Sequence, residues 1–478
     1  MNFMNALFRF IAVSLILLTG NLYAQNKALS DFVRSANLQH AGIGIRIVNI
    51  SDGKTLCNYN ENLSLCPASC LKLVTTATAL EKYGDQFAYQ TTVFTDGTIA
   101  KDGQLDGNIY IQGSGDPTLG SEYVNADAGQ EAFLNQWLTD IRKTGIKSVT
   151  GSVVVLDNLF GYEGVSPYWP WVDIANYYAP GIYGISVFDN LYRLYLKSGK
   201  AGTTPEILRT EPSISSLHFE NHLKAANNSM DSAYIYGMPF NYERRLFGTI
   251  PQNRPSFVIK GDLPDPGYFL ADCFTAFLSK NNIRVTGKAS TFRLTPITPK
   301  KIKILSVTNS PPLAEIVKVV NFRSNNHYAE CLFRKMQTDG NTGTPAKDYW
   351  SKQGLKTDGL FMYDGSGLSP MDGLNVKFMT DLLVYMQHKS GYKEAFYASL
   401  PTAGKAGTVS SFLKGTPLEG IARAKSGSIK NVRAYCGYFD KGKNRYAFAI
   451  LINNYNSSKN SSLVKQIEQL LVGVFNDA

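Results

Sequence analysis

Histidine and cysteine are scarce in this chain of 478 residues, which contains five of the first and six of the second. Six cysteines, with no Cys-x-x-Cys pair among them, are too few for a disulfide framework in a chain of this size. We expect buried thiols, with a single bridge as the open alternative. Only His218 and His222 have the i, i+4 spacing of metal ligands, and no His-Glu-x-x-His pattern accompanies them. We therefore predict no metal site and no cofactor.

Low-complexity tracts, short-period repeats and blocks of like charge are also absent from the sequence. The net charge of +10 is spread along the chain without a basic run, which argues against nucleic acid as a partner. Attraction to an anionic envelope polymer is one explanation of this charge, and simple solubility is the other. With 44% hydrophobic and 18% charged residues, the chain is expected to fold into two or three domains.

Only one long apolar run occurs, and it lies near the N-terminus. Arg9 precedes the apolar stretch Phe10–Leu18, and Leu22-Tyr23-Ala24 ends in a small residue suited to cleavage. The stretch is short for a membrane span, and no cysteine that could carry a lipid follows Ala24. We predict a cleaved signal peptide over residues 1–24 and a secreted, envelope-facing protein without a stable transmembrane anchor. An uncleaved anchor is the alternative.

Both ends of the mature chain contain the same kind of element. Alternating apolar residues over Gly42–Ile50 and a second strand at 55–59 predict a hairpin. Strands at 434–439 and 446–452 predict another, followed by an amphipathic helix at 462–475. These elements suggest one sheet built from both chain ends.

Residues 91–291 differ in character from the ends. Short β-rich segments alternate there with Gly, Asn, Asp and Pro turns, and one helix is predicted at 132–143. We predict an inserted, mainly β module over 91–291, with a division near residue 160 as an option, inside a discontinuous domain formed by 25–90 and 292–478. The β-rich segments are 107–111, 148–155 and 256–260, and helices are predicted after the insert at 311–320, 326–336 and 376–388.

The tetrad Ser69-Cys70-Leu71-Lys72 is the most informative motif. Pro67-Ala68 precede it and an apolar helical run, Leu73–Leu80, follows it. Residues three apart share a helix face, so Ser69 Oγ and Lys72 Nζ can approach each other as nucleophile and base. Cys70 lies about 100° around the helix from that face and is expected to be a small core residue. The same Ser-x-x-Lys pattern also starts at Ser51, Ser390, Ser411 and Ser462, so Ser69 stands out by its context.

Two later motifs complement the tetrad. Ser324-Asn325-Asn326 stands at a turn before a predicted helix, where serine and asparagine are also good caps. Lys425-Ser426-Gly427-Ser428 precedes a strand-like segment, where glycine permits close backbone approach by a ligand, although singly it could be a loop. In this order, Ser-x-x-Lys, Ser-x-Asn and Lys-(Thr/Ser)-Gly are the motifs of class A β-lactamases and penicillin-binding proteins.

Further segments narrow the resemblance. Asp364–Ser369 reads Asp-Gly-Ser-Gly-Leu-Ser, Gly113–Leu119 reads Gly-Ser-Gly-Asp-Pro-Thr-Leu, and Trp169–Asp173 reads Trp-Pro-Trp-Val-Asp. Over essentially the whole mature chain, the sequence resembles the class C low-molecular-mass penicillin-binding proteins, which are type-4 D-alanyl-D-alanine carboxypeptidases/endopeptidases. This resemblance implies an α/β multidomain fold: a penicillin-binding/β-lactamase-like transpeptidase domain, with an antiparallel sheet flanked by helices, carrying a large mainly β insert. It also implies a periplasmic enzyme that acts on peptidoglycan stem peptides.

The resemblance also implies a role for each motif residue. Ser69 would attack the carbonyl of the penultimate D-alanine and form an acyl-enzyme. Lys72 would accept the proton, with Lys425 as the neighbouring cation that destabilises its ammonium. Ser324 would pass a proton to the leaving amine, and the Asn326 amide would hold the peptide group of the substrate. β-Lactams would mimic the D-Ala-D-Ala end and acylate the same serine as covalent inhibitors.

The strand motif is implied to bind the substrate's terminal carboxylate. The Ser426 and Ser428 hydroxyls would contact it, next to Gly427, and the backbone N–H groups of Ser69 and Ser428 would form an oxyanion hole. Serine stands at Ser426 where this family more commonly has threonine, so the hydroxyl is kept and a methyl is lost. Asp173 could meet the amino group of a diaminopimelate side chain, and a surface turn aspartate is the open alternative.

Two rival functions are compatible with the same acylation machinery. A β-lactamase would share it, but the roughly 250 residues between Ser69 and Ser324 far exceed what that class needs. A catalytically silent penicillin-binding scaffold would not need to keep both Lys72 and Lys425. The serine DD-peptidase is therefore the leading prediction.

Overall fold

The computed structural model describes residues 27–124 and 129–478; the predicted signal peptide, residues 1–24, lies outside the described residues. The strands are β1 (Gly42–Asn49), β2 (Thr55–Tyr59), β3 (Gln90–Thr95), β4 (Thr98–Ile99), β5 (Gln104–Asp106), β6 (Ile109–Gln112), β7 (Ser148–Val149), β8 (Val153–Leu156), β9 (Leu191–Lys197), β10 (Glu206–Glu211), β11 (His218–Asn221), β12 (Lys224–Ala226), β13 (Ser232–Tyr236), β14 (Glu243–Pro251), β15 (Phe257–Asp262), β16 (Arg284–Val285), β17 (Ser290–Thr291), β18 (Lys303–Asn309), β19 (Arg423–Ile429), β20 (Val432–Lys441) and β21 (Asn444–Asn453). The α-helices are α1 (Lys27–Val33), α2 (Lys72–Tyr83), α3 (Ala132–Lys143), α4 (Pro266–Lys280), α5 (Leu313–Arg323), α6 (Asn326–Gly340), α7 (Pro345–Lys352), α8 (Val376–His388), α9 (Lys393–Ser399) and α10 (Asn460–Asp477).

The two ends of the chain form one antiparallel sheet, in the order β19-β20-β21-β1-β2. Ile45 and Ile47 of β1 face the terminal helices α1 and α10, and Val48 faces the opposite layer, which contains α2, α5, α6 and α8. Helices therefore cover both faces, which explains why β21 is buried over most of its length. Strand β19 lies at the edge of the sheet. Both predicted hairpins are confirmed.

The intervening residues form four further sheets, in the orders β17-β8-β6-β3-β18, β16-β7-β5-β4, β10-β9-β15 and β11-β14-β12 with β13 beside β14. The predicted helix at 132–143 is confirmed as α3. The β-rich segment predicted at 148–155 contains two strands, β7 and β8, and between them Gly151 lies against the backbone of Gly107. Strand β18 follows the predicted insert end at 291 but pairs with β3. The domain boundaries, including a division near 160, stay a prediction.

Ser69 lies in a short 3-10 turn, Ala68–Leu71, which leads into α2. We expected it at the start of the α-helix itself. Ala68 has a positive φ of 45°, so the chain bends just before the serine, and the turn packs against β19. Helix α2 is buried from Lys72 to Leu80 and packs on α5, α6 and α7. The nucleophile candidate therefore sits between the central helix and the edge strand.

All six cysteines are thiols in the described part of the chain, four of them buried, and Cys70 is among the buried ones as predicted. Its Sγ donates to the carbonyl of Lys425 at 3.3 Å, away from Lys72. Within residues 27–124 and 129–478, none of the helices combines the length and the apolar character that a bilayer crossing requires.

Candidate active site

Lys72 is the centre of the candidate site. Its Nζ lies 3.0 Å from Ser69 Oγ, 2.6 Å from Asn326 Oδ1 and 2.6 Å from the Ser366 carbonyl oxygen. The residue is 0% exposed. The asparagine and carbonyl oxygens can only accept, so a neutral amine would give them its two protons and present its lone pair to the serine hydroxyl. The geometry therefore suits a lysine that takes a proton from Ser69.

The electrostatic surroundings favour that neutral form. Burial, followed by the nearby Lys425 cation, lowers the pKa of Lys72 from 10.5 to about 7. The Asp364 and Glu330 carboxyl groups oppose the shift. Burial also lowers the pKa of Lys425 to about 8, so this second amine retains its proton to a higher pH than the first. One lysine is suited to be a base and the other a cation.

The second motif brings Ser324 to Lys425. Lys425 Nζ donates to Ser324 Oγ at 2.8 Å and to the Ser426 carbonyl at 2.6 Å. Ser324 has a left-handed φ of 58° at the end of α5, which directs the chain into α6. Asn325, between the two predicted site residues, is the N-cap, because its Oδ1 accepts from the Tyr328 amide at 2.9 Å. Ser324 is therefore free of the capping role.

Asn326 connects the site to the inserted region. Its Oδ1 accepts from Lys72, and its Nδ2 donates to the Tyr178 carbonyl at 2.7 Å. These two bonds fix the orientation of the Asn326 amide. If its oxygen and nitrogen were exchanged, the amide oxygen would face the carbonyl oxygen of Tyr178 and the NH2 group would face the amine of Lys72. Asn326 thus holds Lys72 while a loop of the insert holds Asn326.

The edge strand β19 packs closely on the turn that carries Ser69. A Cβ at Gly427 would lie 2.5 Å from the Pro67 carbonyl oxygen and 3.1 Å from the Ser69 amide nitrogen, so only glycine fits. Ser428 is exposed on the same strand, and Ser426 Oγ donates to Thr408 Oγ1 at 3.0 Å. The strand therefore brings the predicted carboxylate-binding hydroxyls next to the serine turn.

Asp173 lies in the insert loop that ends at Tyr178. Its Oδ1 accepts from the Tyr178 hydroxyl at 3.0 Å, and burial raises the pKa of the carboxyl group. The loop also carries Trp171, which is 65% exposed and contacts the Tyr236 ring in a tilted arrangement with 4.7 Å between ring centroids. Asp173 is thus connected to Asn326 through a single residue, Tyr178, which bonds to both. Asp173 itself is half-buried and lies beside exposed aromatic rings.

Sequence and structure comparisons show the family and the fold of the chain. Residues 25–474 match the model of the D-Ala-D-Ala carboxypeptidase 3 (S13) family. The chain belongs to this family. It is therefore a serine-type D-alanyl-D-alanine carboxypeptidase, a hydrolase, and the predictions of family and enzyme class are confirmed.

The alignments with individual relatives cover most of both chains. A D-alanyl-D-alanine carboxypeptidase of an Actinomadura species is 26% identical over 439 residues, which are 88% of this chain and 79% of the relative. The carboxypeptidase DacB of Haemophilus influenzae is 25% identical over 438 residues, covering 89% and 88%. The crystal structure of penicillin binding protein 4 (dacB) from H. influenzae superposes with a TM-score of 0.78 at 24% identity, covering 93% and 98%. This last match confirms the predicted penicillin-binding/β-lactamase-like fold.

Several residues that contact the S13 site were not among the predicted site residues. Ser366 supplies a carbonyl to Lys72, Thr408 accepts from Ser426, and Tyr178 holds Asn326. The Asp364–Ser369 segment carries the family resemblance in the sequence, and this pattern is the signal that could have found Ser366. Glu330, whose carboxyl oxygens accept from the Gly365 amide at 3.0 and 3.1 Å, carried no signal in the sequence. Among the described residues, no group of three metal-ligating side chains is present.

The electrostatic coupling between the two lysines gives a direct test. Lys425→Met removes the neighbouring cation, so the pKa of Lys72 should rise above its value of about 7. The measurement is the pH dependence of the lysine chemical shifts in protein labelled with [ε-¹³C]lysine, with Lys72→Arg used to assign the signal. Lys430→Met, a change at an exposed lysine in the turn after β19, is the matched control and should leave the Lys72 titration unchanged. An unshifted Lys72 signal in the Lys425→Met protein would contradict the coupling.

Proposed function

We propose that Ser69 is the nucleophile of this S13 carboxypeptidase and that Lys72 is its general base. The 3.0 Å contact between Ser69 Oγ and the buried Lys72 amine carries this proposal. A hydroxyl is a weak nucleophile until a neighbouring base takes its proton. A lysine with a pKa near 7 can do so at neutral pH, whereas an exposed lysine would be protonated.

The acylation step follows from the contacts. Ser69 Oγ attacks the carbonyl carbon of the penultimate D-alanine while its proton moves to Lys72 Nζ. The oxyanion accepts from the backbone N–H groups of Ser69 and Ser428. When the intermediate collapses, the C–N bond breaks, and the proton that Lys72 took from Ser69 passes to the leaving amine through Ser324, whose hydroxyl is bonded to Lys425. Lys72 is then neutral again. Water attacks the acyl carbonyl while Lys72 accepts its proton, and Lys72 returns that proton to Ser69 Oγ as the ester C–O bond breaks.

Substrate recognition uses the groups around this centre. The Lys425 cation attracts the terminal carboxylate, and the Ser426 and Ser428 hydroxyls donate to it, beside the backbone of Gly427. Asn326 holds the penultimate peptide group. The open edge of β19 offers main-chain hydrogen bonds to an extended peptide, in the manner of strand addition.

The substrate class proposed is the peptidoglycan stem peptide that ends in D-Ala-D-Ala. Asp173 would accept from a basic side-chain amine of that peptide, in keeping with a position near Asn326. A penicillin binding protein 4 structure from H. influenzae contains a bound β-lactam, and we propose that β-lactams acylate Ser69 here. We place the mature enzyme in the periplasm, after cleavage of residues 1–24.

Fluorescent penicillin should label the wild-type protein through Ser69. Ser69→Ala should lose labelling and D-alanine release by at least about 1,000-fold, since removing a nucleophile leaves only binding contributions. Ser411→Ala is the matched control, because Ser411 also begins a Ser-x-x-Lys pattern but is exposed. Equal labelling of wild type and Ser69→Ala would refute the assignment.

The pH dependence of kcat/KM should be bell-shaped. Lys72 must be neutral, so the rate rises as pH increases through about 7, and Lys425 must be charged, so the rate falls as pH increases through about 8. The measurement is D-alanine release from a D-Ala-D-Ala peptide between about pH 5 and about pH 10. Active Lys425→Arg protein should lack the falling limb, because a guanidinium keeps its charge there. A rising limb near the ordinary lysine pKa would show that Lys72 is not the base in this form.

Digestion of purified muropeptides should reveal both carboxypeptidase and endopeptidase activity. Both reactions cleave after a D-alanine, so one acyl-enzyme serves each, and we expect loss of cross-linked dimers as well as trimming of pentapeptides. Liquid chromatography with mass detection distinguishes the products. Pentapeptide trimming alone would restrict the proposal to a carboxypeptidase, and penicillin labelling without turnover of either substrate would support a silent scaffold instead.

A further inference from the structure

Asp364 collects an unusual number of hydrogen bonds for a side chain that touches neither Ser69 nor Lys72. Its Oδ1 accepts from the Ser366 amide at 3.0 Å and the Gly367 amide at 2.6 Å. Its Oδ2 accepts from the Ser369 amide at 2.7 Å and the Trp169 indole Nε1 at 2.9 Å. The residue is 1% exposed. The Asp372 carboxyl group also bonds to Asp364. The two oxygens of Asp364 therefore act as acceptors for four N–H donors and for one neighbouring acid group.

The loop folded by these bonds contacts the candidate catalytic groups from two sides. The carbonyl of Ser366 accepts from Lys72 Nζ at 2.6 Å. Gly367 has a φ of 75°, and a Cβ there would lie only 1.9 Å from the Ala68 carbonyl oxygen. The loop backbone is thus pressed against the residue that precedes Ser69. A shift of this loop would move both the base and the turn of the nucleophile.

The fourth donor extends the connection to the insert. Trp169 is buried against Leu368 and Ala179, and the loop that it anchors continues to Tyr178, whose carbonyl holds Asn326. Asn326 in turn holds Lys72. Asp364 therefore reaches the lysine by two routes, through Ser366 directly and through the insert loop.

We propose that Asp364 is a positioning residue for this active site: its carboxylate fixes the loop that holds Lys72 and the Ser69 turn, and it joins that loop to the insert. The proposal rests on the function proposed above for Ser69 and Lys72. It assigns to the Asp-Gly-Ser-Gly-Leu-Ser segment a role that its sequence alone did not reveal.

The charge of Asp364 gives this role a signature that simple packing would not have. The titratable groups that face Lys72 are Lys425, which lowers its pKa, and Asp364, Glu330 and Cys70, which raise it. Burial and the Asp364 charge raise the pKa of Glu330 to about 8. Removing the Asp364 charge therefore lowers the Glu330 pKa as well, and a more ionised Glu330 offsets part of the effect on Lys72. Asp364 is the larger of the two influences on Lys72, so the net result should still be a lower Lys72 pKa, and Lys72 would lose its proton at a lower pH.

The test compares Asp364→Asn with the wild type by the pH profile of kcat/KM. We expect kcat to fall by about tenfold to 100-fold, because small misplacements of reacting groups have effects of that size. The rising limb should move to lower pH. Asp358→Asn, at an exposed aspartate six residues before Asp364, is the matched control and should leave the rising limb in place. An unchanged rising limb in Asp364→Asn, or an equal shift in Asp358→Asn, would overturn the proposal.

Asp364→Glu separates position from charge and serves if the asparagine variant does not fold. Its carboxylate keeps the charge but is one methylene too long for the four donors, so kcat should fall while the rising limb stays in place. Wild-type kcat in folded Asp364→Glu, verified by circular dichroism, would contradict the positioning role. Parallel labelling of Ser69→Ala keeps the two proposals apart: labelled Ser69→Ala protein would refute the proposed nucleophile, whereas the outcomes named above refute only the role of Asp364.

Discussion

Burial of the Lys72 amine is the constraint on which the rest of the site depends. An exposed lysine would be protonated at neutral pH and could not accept a proton from Ser69. The surroundings lower its pKa from 10.5 to about 7, which destabilises the ammonium by about 5 kcal/mol, since one pKa unit corresponds to 1.36 kcal/mol. Lys72 is the first residue of helix α2, which is buried from that residue onward. The other contacts of the site therefore have to hold an amine in a buried position.

Those contacts come from distant parts of the chain. Ser69 is local, but Asn326 begins α6, Ser366 lies in the loop before α8, and Lys425 lies on β19. Both chain ends must therefore pair into one sheet before β19 can lie beside the serine turn. Ser69, Asn326 and Ser366 offer neutral oxygen acceptors to Lys72, and Lys425 offers a like charge. None of these four residues therefore forms an ion pair with a protonated Lys72. The arrangement favours a neutral, oriented amine, and it does so only when the tertiary structure is complete.

The ordered motifs and the hydrophobic periodicity were sufficient to predict the hairpins, helices α3 and α8, and the motif residues that lie around Lys72, but not Ser366. Helices α7 and α9 have only eight and seven residues, too few for a clear period, and were missed. The 3-10 turn before α2 could not be predicted either, because the positive φ of Ala68 accompanies a tertiary contact with Gly367. The same holds for Asp364: its four donors include an indole from a residue 195 positions away, a contact that no local pattern encodes.

Helix α6 hydrogen-bonds to the β-rich region, residues 91–291, and this explains why that region belongs to the site. Successive residues of that helix bond to the insert: Asn326 to Tyr178, His327 to Ser186 at 2.9 Å, and Tyr328 to Ser121 at 2.6 Å. Burial lowers the pKa of His327 to about 3, so this contact stays a neutral hydrogen bond across the working pH range. A helix held at three consecutive positions cannot rotate, and its first residue is the one that orients Lys72. The long β-rich region is therefore part of the support that fixes Lys72, since without it the Asn326 amide would lose the partner that determines which of its atoms faces the lysine.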